Sequence, residues 1–182
     1  MHIYLGLIFC LCLFAIIPGA HAVQTCNPNN IPASTPDSRL TDNGNNTITD
    51  TKTGLMWKKC EEGVSGNGCE TGTAATFSWQ TALRQPGVVN NGGGFAGYGD
   101  WRLPNIKELG SIVERKCSVP AINMTRFPNT PSNSVVWSGS PYAYNSDYAW
   151  YVNFASGNSF YVNRNYNYRV SYGQVRLVRG GQ

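Results

Sequence analysis

The sequence predicts an α+β domain of two short helices, small twisted antiparallel sheets and long loops. Three observations carry this. Helical patterning occurs only twice, over residues 77–84 and again from Asn105. Two-residue alternation marks the last third, where Tyr151 and Asn153 separate Trp150, Val152 and Phe154. Between these stretches Gly, Asn, Ser and Pro punctuate the chain, and only 13% of its 182 residues are charged, so turns and loops must take much of its length.

Taken in order, residues 3–17 are an almost unbroken apolar run. That suits a signal h-region and is short for a membrane span. Pro18 and Gly19 break the run, and Ala20-His21-Ala22 supplies a small–x–small cleavage pattern. Residues 1–22 are therefore expected to be a signal peptide, with the mature chain starting at Val23. The missing Lys and Arg before the run keep a retained anchor as the alternative. Residues 23–38, rich in Pro, Asn and Ser, read as an extended arm, and 39–182 as one domain with no further membrane span.

Within that domain Asp42-Asn43-Gly44-Asn45 is a turn between short strands, Thr53-Gly54 is a second turn, and Leu55-Met56-Trp57 begins another strand. Residues 61–73 read as a polar loop. The first helix is expected over 77–84, with Trp79, Ala82 and Leu83 on its buried side. Gly92, Gly94 and Gly97 match G-x-G-x-x-G, but no apolar strand precedes them and Asp100-Trp101-Arg102-Leu103-Pro104 follows, so a surface loop is expected rather than a nucleotide site. Asn105 caps the second helix with Glu108 at the capping-box position, and Ile106, Leu109, Ile112 and Val113 form its apolar face. Val135-Val136-Trp137 is a short strand. Ser156-Gly157-Asn158 turns a hairpin in which Trp150, Val152, Phe154, Phe160 and Val162 are expected to point inward, with Tyr151, Asn153, Tyr161 and Asn163 outward. Residues 174–179 read as a closing strand, with Val175 and Leu177 inward and Arg176 outward. Trp57, Trp79, Trp101, Trp137 and Trp150 are all expected in the core.

Composition narrows the chemistry. Both histidines, His2 and His21, lie in the signal segment, so the mature chain lacks Ser–His and Cys–His pairs and histidine-ligated metals. Cys10 and Cys12 leave with the signal. Cys26, Cys60, Cys69 and Cys117 remain, an even number that reads as two disulfides with three possible pairings. Cys60–Cys69 is favoured because the Gly/Asn-rich segment between them turns back easily, which leaves Cys26–Cys117. The spacings do not suit a zinc site. Asp100, Glu108, Glu114 and Asp147 could serve glycosidase chemistry, yet no pair is set apart; Asp100 reads as bonding its own loop and Glu114 as closing a helix. No catalysis, metal, cofactor or nucleic-acid partner is expected. Residues 126–182 hold Arg126, Arg164, Arg169, Arg176 and Arg179 against a single acid, Asp147, an excess that could favour acidic ligands or be ordinary surface charge.

The strongest functional signal is the segment 142–172. It holds eight of the ten tyrosines, with six asparagines and four serines. Tyr gives large amphipathic contact area at low rotamer cost, and Ser and Asn give adaptable hydrogen bonds, as in antibody combining sites. A candidate ligand-binding face therefore comprises Tyr142, Tyr144, Asn145, Asp147, Tyr148, Tyr151, Asn153, Tyr161, Asn163, Arg164, Asn165, Tyr166, Asn167 and Tyr168. Its expected partner is an extracellular protein or glycan.

Three blocks of the sequence resemble a known family. They are Thr53-Gly54-Leu55-Met56-Trp57, the run Gly94-Phe95-Ala96-Gly97-Tyr98-Gly99-Asp100-Trp101-Arg102-Leu103-Pro104-Asn105, and the ending Val175-Arg176-Leu177-Val178-Arg179-Gly180-Gly181. Together they look like the C-terminal domain family of the Legionella collagen-like protein, over roughly residues 38–182. The blocks are also similar to formylglycine-generating-enzyme-like domains. The resemblance implies a C-type-lectin-like fold. It further implies either an adhesin for sulfated polysaccharide or a variable protein of a diversity-generating retroelement, with residues 142–168 as the rewritten stretch. The chain departs from its relatives in lacking a collagen-like stalk, the cysteine chemistry of the formylglycine enzymes, and a clear lectin-type calcium motif.

Overall fold

The computed structural model describes residues 23–27, 29, 31–164 and 173–180; the expected signal peptide lies outside them. Eleven strands and two helices occur among the described residues, as the α+β reading requires. They are β1 (Thr25–Cys26), β2 (Leu40–Asp42), β3 (Thr47–Asp50), β4 (Leu55–Lys58), β5 (Val64–Ser65), β6 (Thr71–Gly72), α1 (Trp79–Asn91), α2 (Ile106–Ser111), β7 (Cys117–Ser118), β8 (Val135–Pro141), β9 (Tyr148–Asn153), β10 (Asn158–Asn163) and β11 (Val178–Gly180). All pairing between these strands is antiparallel. The two larger sheets run β11-β4-β3-β2 and β10-β9-β8, with β1-β7 and β5-β6 as two-stranded ribbons. Among the described residues no helix is long and apolar enough to cross a membrane.

The first sheet follows its turn signals. The turn at Asp42–Asn45 joins β2 to β3, and the turn at Thr53-Gly54 joins β3 to β4. The closing strand is shorter than its alternation suggested. Only Val178–Gly180 pairs continuously, against Leu55–Trp57, while Gly173 and Gln174 make isolated bridges to Phe77 and Val136. Arg176 points inward instead of outward and is 1% exposed. Its guanidinium donates to the carbonyls of Lys58 and Lys59 and to Thr130 Oγ1, and lies 3.5 Å from Glu61 Oε1. Residues 61–73 are accordingly more than a polar loop, because Glu61 and Glu62 are buried and β5-β6 forms a small hairpin.

Helix α1 starts under a Ser78 cap and runs past Arg84, through Pro86, to Asn91. Proline inside a helix removes a hydrogen bond, but tertiary contacts hold the last turns. Val89 packs into the core, and the Asn90 side chain both donates to and accepts from the Trp101 backbone at 2.8 and 3.0 Å. Trp79 and Ala82 are buried as expected, whereas Leu83 is 43% exposed. Helix α2 has the full capping box of Asn105 and Glu108, and Leu109, Ile112 and Val113 are buried. The loop between the helices follows a helix, not a strand. Gly94 is needed there, with φ +78° and a position where a Cβ would sit 2.3 Å from the Tyr98 carbonyl oxygen.

Two hydrophobic clusters form the core. One gathers Leu40, Ile48, Trp57, Leu109, Ile122, Phe127, Val136, Val152 and Phe154 with their neighbours. The other gathers Trp79, Ala82, Trp101, Leu103, Trp137, Ala149, Val175 and Leu177. The sheet β10-β9-β8 lies between them, with Val136 and Val152 turned to the first cluster and Trp137 and Ala149 to the second. Four of the five tryptophans are buried; Trp150 is only half-buried, for a reason given below.

Both expected disulfides are present, Cys60–Cys69 and Cys26–Cys117, each contributing about 2–4 kcal/mol. The second ties the arm to β7. Glu114 ties it again, and this is its role in place of closing a helix. Its carboxylate accepts from the Ser34 and Thr35 backbone N–H groups, from Thr35 Oγ1 and from the Lys116 N–H at 2.9–3.1 Å. Burial pushes the Glu114 carboxyl up, but these donors outweigh it and hold it below the usual carboxylate range. Asp100 bonds its own backbone N–H, as a loop-serving carboxylate would, and also accepts from Arg179 Nε at 2.7 Å.

Two outcomes follow. Trp101 is 2% exposed, bonds the Phe95 carbonyl through Nε1 and meets the Phe95 ring edge-on. Trp101→Ala should cost about 3–5 kcal/mol in urea unfolding, and an unchanged midpoint would remove it from the core. A carboxyl held low in the folded state contributes stability above its unfolded pKa and loses it as pH falls through the folded value. The urea midpoint should therefore drop between neutrality and about pH 3, and Glu114→Gln should shrink that drop.

Candidate functional site

The hairpin β9-β10 and the end of β8 carry most of the candidate residues. The register pairs Tyr161 with Trp150, Asn163 with Tyr148 and Phe160 with Tyr151. Paired residues share a face, so Trp150 cannot be inward while Tyr161 is outward. Tyr148, Trp150, Val152, Tyr161 and Asn163 all occupy one face. Tyr151, Ala149, Phe160 and Val162 occupy the other. The cause is the turn. Phe154 to Gly157 form a four-residue loop, closed by Gly157 N–H donating to the Asn153 carbonyl at 2.8 Å, one residue longer than the Ser156-Gly157-Asn158 turn implies. One residue of register exchanges the faces of the second strand relative to the first. Gly157 is fixed at φ +74°, where a Cβ would meet Val113 at 2.7 Å.

On the first face α2 covers only part of the sheet. Its Leu109 and Ile112 share the first cluster with Val136 and Val152. Beyond the helix the face is open, and five aromatic rings collect there. Tyr142 and Tyr161 stack with centroids 4.0 Å apart at an 11° angle. Trp150 stands edge-on to both at 5.6 and 5.3 Å. Tyr148 approaches them at 6.4 and 5.8 Å, and Tyr144 lies 5.6 Å from Tyr142. Tyr144 is 90% exposed and Tyr161 48%. The turn beneath is internally bonded: Asn145 Oδ1 accepts from the Asp147 N–H at 2.9 Å, and the Tyr142 N–H donates to the Tyr148 carbonyl at 2.9 Å.

The structure thus brings together Tyr142, Tyr144, Tyr148 and Tyr161, with Asn145 and Asp147 in the adjoining turn and Asn163 opposite Tyr148. It does not bring Tyr151 to them. That ring packs edge-on to Trp137 at 6.0 Å, and burial pushes its phenol up. Asn153 sits at the far end of β9, where its Oδ1 accepts from the Ala155 N–H. Arg164 lies over Trp79, 5.4 Å from the ring. Asn165, Tyr166, Asn167 and Tyr168 lie outside the described residues. The expectation for Trp150 is corrected, since it belongs to the aromatic cluster, and Phe160 is 43% exposed rather than buried. The cross-strand pairing is the signal that would have placed Trp150.

Two arginines of the excess are taken up inside the fold. Arg176 is fully buried, and Arg179 is 6% exposed, bonded to Asp100 and stacked over Tyr98 at 3.9 Å. Arg126 lies 3.9 Å from Asp37.

The Tyr142 phenol is held above its ordinary pKa, first by hydrogen bonding with Tyr161 and then by loss of solvent. Among the described tyrosines, an absorbance titration should show Tyr142 and Tyr151 ionising late, and Tyr161→Phe should return Tyr142 alone toward the ordinary value. An unchanged titration curve would mean that the two hydroxyls are not paired in solution.

No curated protein matches the chain. The model of the Lcl C-terminal domain matches residues 46–179, which takes in β3 and β4 of the first sheet, both helices and the whole aromatic cluster. The chain belongs to the Lcl C-terminal domain family.

Proposed function

We propose that the protein is exported and binds an extracellular protein or glycan, without catalysis, through the Tyr142–Tyr144–Tyr148–Trp150–Tyr161 cluster. The observation that carries this is the exposed collection of rings on a sheet face that no element of the described chain covers. Contiguous exposed aromatic surface is uncommon on a monomer and marks contact sites. Two disulfides and the signal-like residues 1–22 support an oxidising, extracytoplasmic setting. The aromatic residues lie within 142–168, the stretch that we read as the variable segment of a C-type-lectin-like, retroelement-diversified protein. A reverse-transcriptase gene and a near-copy of the coding segment beside the gene would support that reading.

The absence of turnover is supported by what the candidate groups are doing. All four cysteines of the described chain are in disulfides. Asp100 serves Arg179, Glu108 serves Arg102 and the α2 cap, and Glu114 serves the arm. An adhesin for sulfated polysaccharide would need exposed cations, and Arg176 and Arg179 do not supply them.

The test is a labelled-protein binding screen on glycan arrays and cell surfaces, with Tyr144→Ser/Tyr161→Ser as the variant. Binding should be lost while the melting temperature stays within roughly 4 °C of the parent. It should also persist as salt rises, because ring contacts are not screened. Unfolding of the variant, or retained binding, would overturn the assignment; steep loss with salt would favour the polyanion reading.

A further inference from the structure

A second, chemically different site lies between the Cys60–Cys69 hairpin and the loop that precedes β8. It is an open groove of about 490 Å3, and it shares no residue with the aromatic cluster. That volume is within the range of small-molecule sites. Its polar lining is uncharged apart from Glu70. Thr73, Ser132 and Asn133 have side chains that make no hydrogen bond among the described residues, and Asn129 uses only its Nδ2, donated to the Gly68 carbonyl at 2.8 Å. Val64 and Pro131 supply apolar wall.

Beneath the groove is a cavity of about 10 Å3 that shares Val64, Cys69, Asn129 and Thr130 with it. This is room for roughly one water-sized group. Glu61 and Arg176 also line the cavity, and each keeps one polar atom without a partner: Glu61 Oε2 and Arg176 Nε. Their other atoms are used. Glu61 Oε1 accepts from Ser134 Oγ at 2.7 Å, and Arg176 serves Lys58, Lys59 and Thr130 through its terminal nitrogens. Both side chains are at most 2% exposed, so bulk water does not satisfy the two orphans. A buried unpaired polar atom is costly.

The two orphans dictate the chemistry of what fits. One is an acceptor and the other a donor, so a single group satisfying both must donate and accept at once. An ammonium only donates. A carboxylate or sulfate only accepts, and it would also face Glu61 and Glu70. A water molecule or a hydroxyl does both, and only the hydroxyl can belong to a ligand seated in the groove above. We propose that the groove binds an uncharged, hydroxyl-rich small molecule, a polyol or a single pyranose, one hydroxyl of which enters the cavity to donate to Glu61 Oε2 and accept from Arg176 Nε–H. The open side chains of Thr73, Ser132 and Asn133 hold the remaining hydroxyls.

Amide-resolved NMR titration of the intact mature protein tests this. The probes are glucose, galactose and mannose, with glucosamine and glucuronate as cationic and anionic counterparts of the same ring. At least one uncharged sugar should shift the Thr73, Asn129 and Asn133 amides, and glucuronate should not. Ser132→Ala/Asn133→Ala, on the groove rim, should weaken that binding about fivefold or more. Among the monodeoxy forms of the binding sugar, one position should lose about tenfold or more, since a site built for a hydroxyl rejects its absence. The proposal is overturned if no uncharged sugar moves these amides, or if only a charged one does. It also fails if the rim variant binds undiminished, or if all deoxy positions lose equally. None of these results bears on the aromatic cluster, whose binding is measured with a different variant.

Discussion

The constraint on which the molecule turns is that β9 packs against the core on both of its faces. Val152 meets the first cluster and Ala149 the second, and Trp137 on the neighbouring strand fills the second side. Around Val152, where both sides are clad, the strand cannot present a ligand surface. Exposure is pushed to the end that α2 does not reach, and there the aromatic rings gather. The same sandwiching makes the tryptophans structural. Trp79 donates to the Ser138 carbonyl and Trp137 to the Phe77 carbonyl, so two large apolar groups also anchor backbone across the sheet. A buried indole nitrogen with a partner avoids the cost of an orphaned donor.

The sheet β11-β4-β3-β2 depends on polar as well as apolar closure. Arg176 enters the interior to reach the carbonyls that follow β4, and Glu61 answers its charge from the same side. Burial pushes the Glu61 carboxyl up and the Arg176 guanidinium down, each against the pull of the other. Removing either partner alone from such a pair is far more damaging than replacing both with apolar groups, because it strands a charge. Nearby, Lys58 bonds Glu62 at 2.5 Å while lying over the Phe95 ring, and Lys59 bonds Asp42 at 2.7 Å. Basic and acidic residues close to β4 thus act as internal cross-links.

Local signals in the sequence were reliable, and signals that depend on a count across a turn were not. The capping box at Asn105, the turns before β3 and β4, and the short Cys60–Cys69 loop all act within a few residues, and all appear as read. The hairpin was legible as a hairpin, yet its faces were not, since one extra residue in the loop inverts the relation between its strands. Alternation also misleads when a strand is buried on both sides; alanine at position 149 carries no strong apolar signal, although it is fully buried. Pro86 reads as a helix end by propensity, but the Asn90 contacts to Trp101 outweigh it. Arg176 in an alternating strand reads as solvent-facing, and only the distant Glu61 makes its burial tolerable. Nothing near Arg176 in sequence reveals that partner.

The Cys26–Cys117 bridge, with a sequence separation of 91, turns everything between those residues into one covalent ring. A ring has to be cut twice to lose a piece. The glycine-rich loop after α1 lies inside it, and exposed loops of small residues are where proteases cut. A single nick there would leave both fragments joined, with the arm still threaded onto the domain by sulfur. The strands that carry the aromatic rings all follow Cys117, so one upstream cut cannot detach them from the arm. That wiring separates damage to the chain from loss of the molecule.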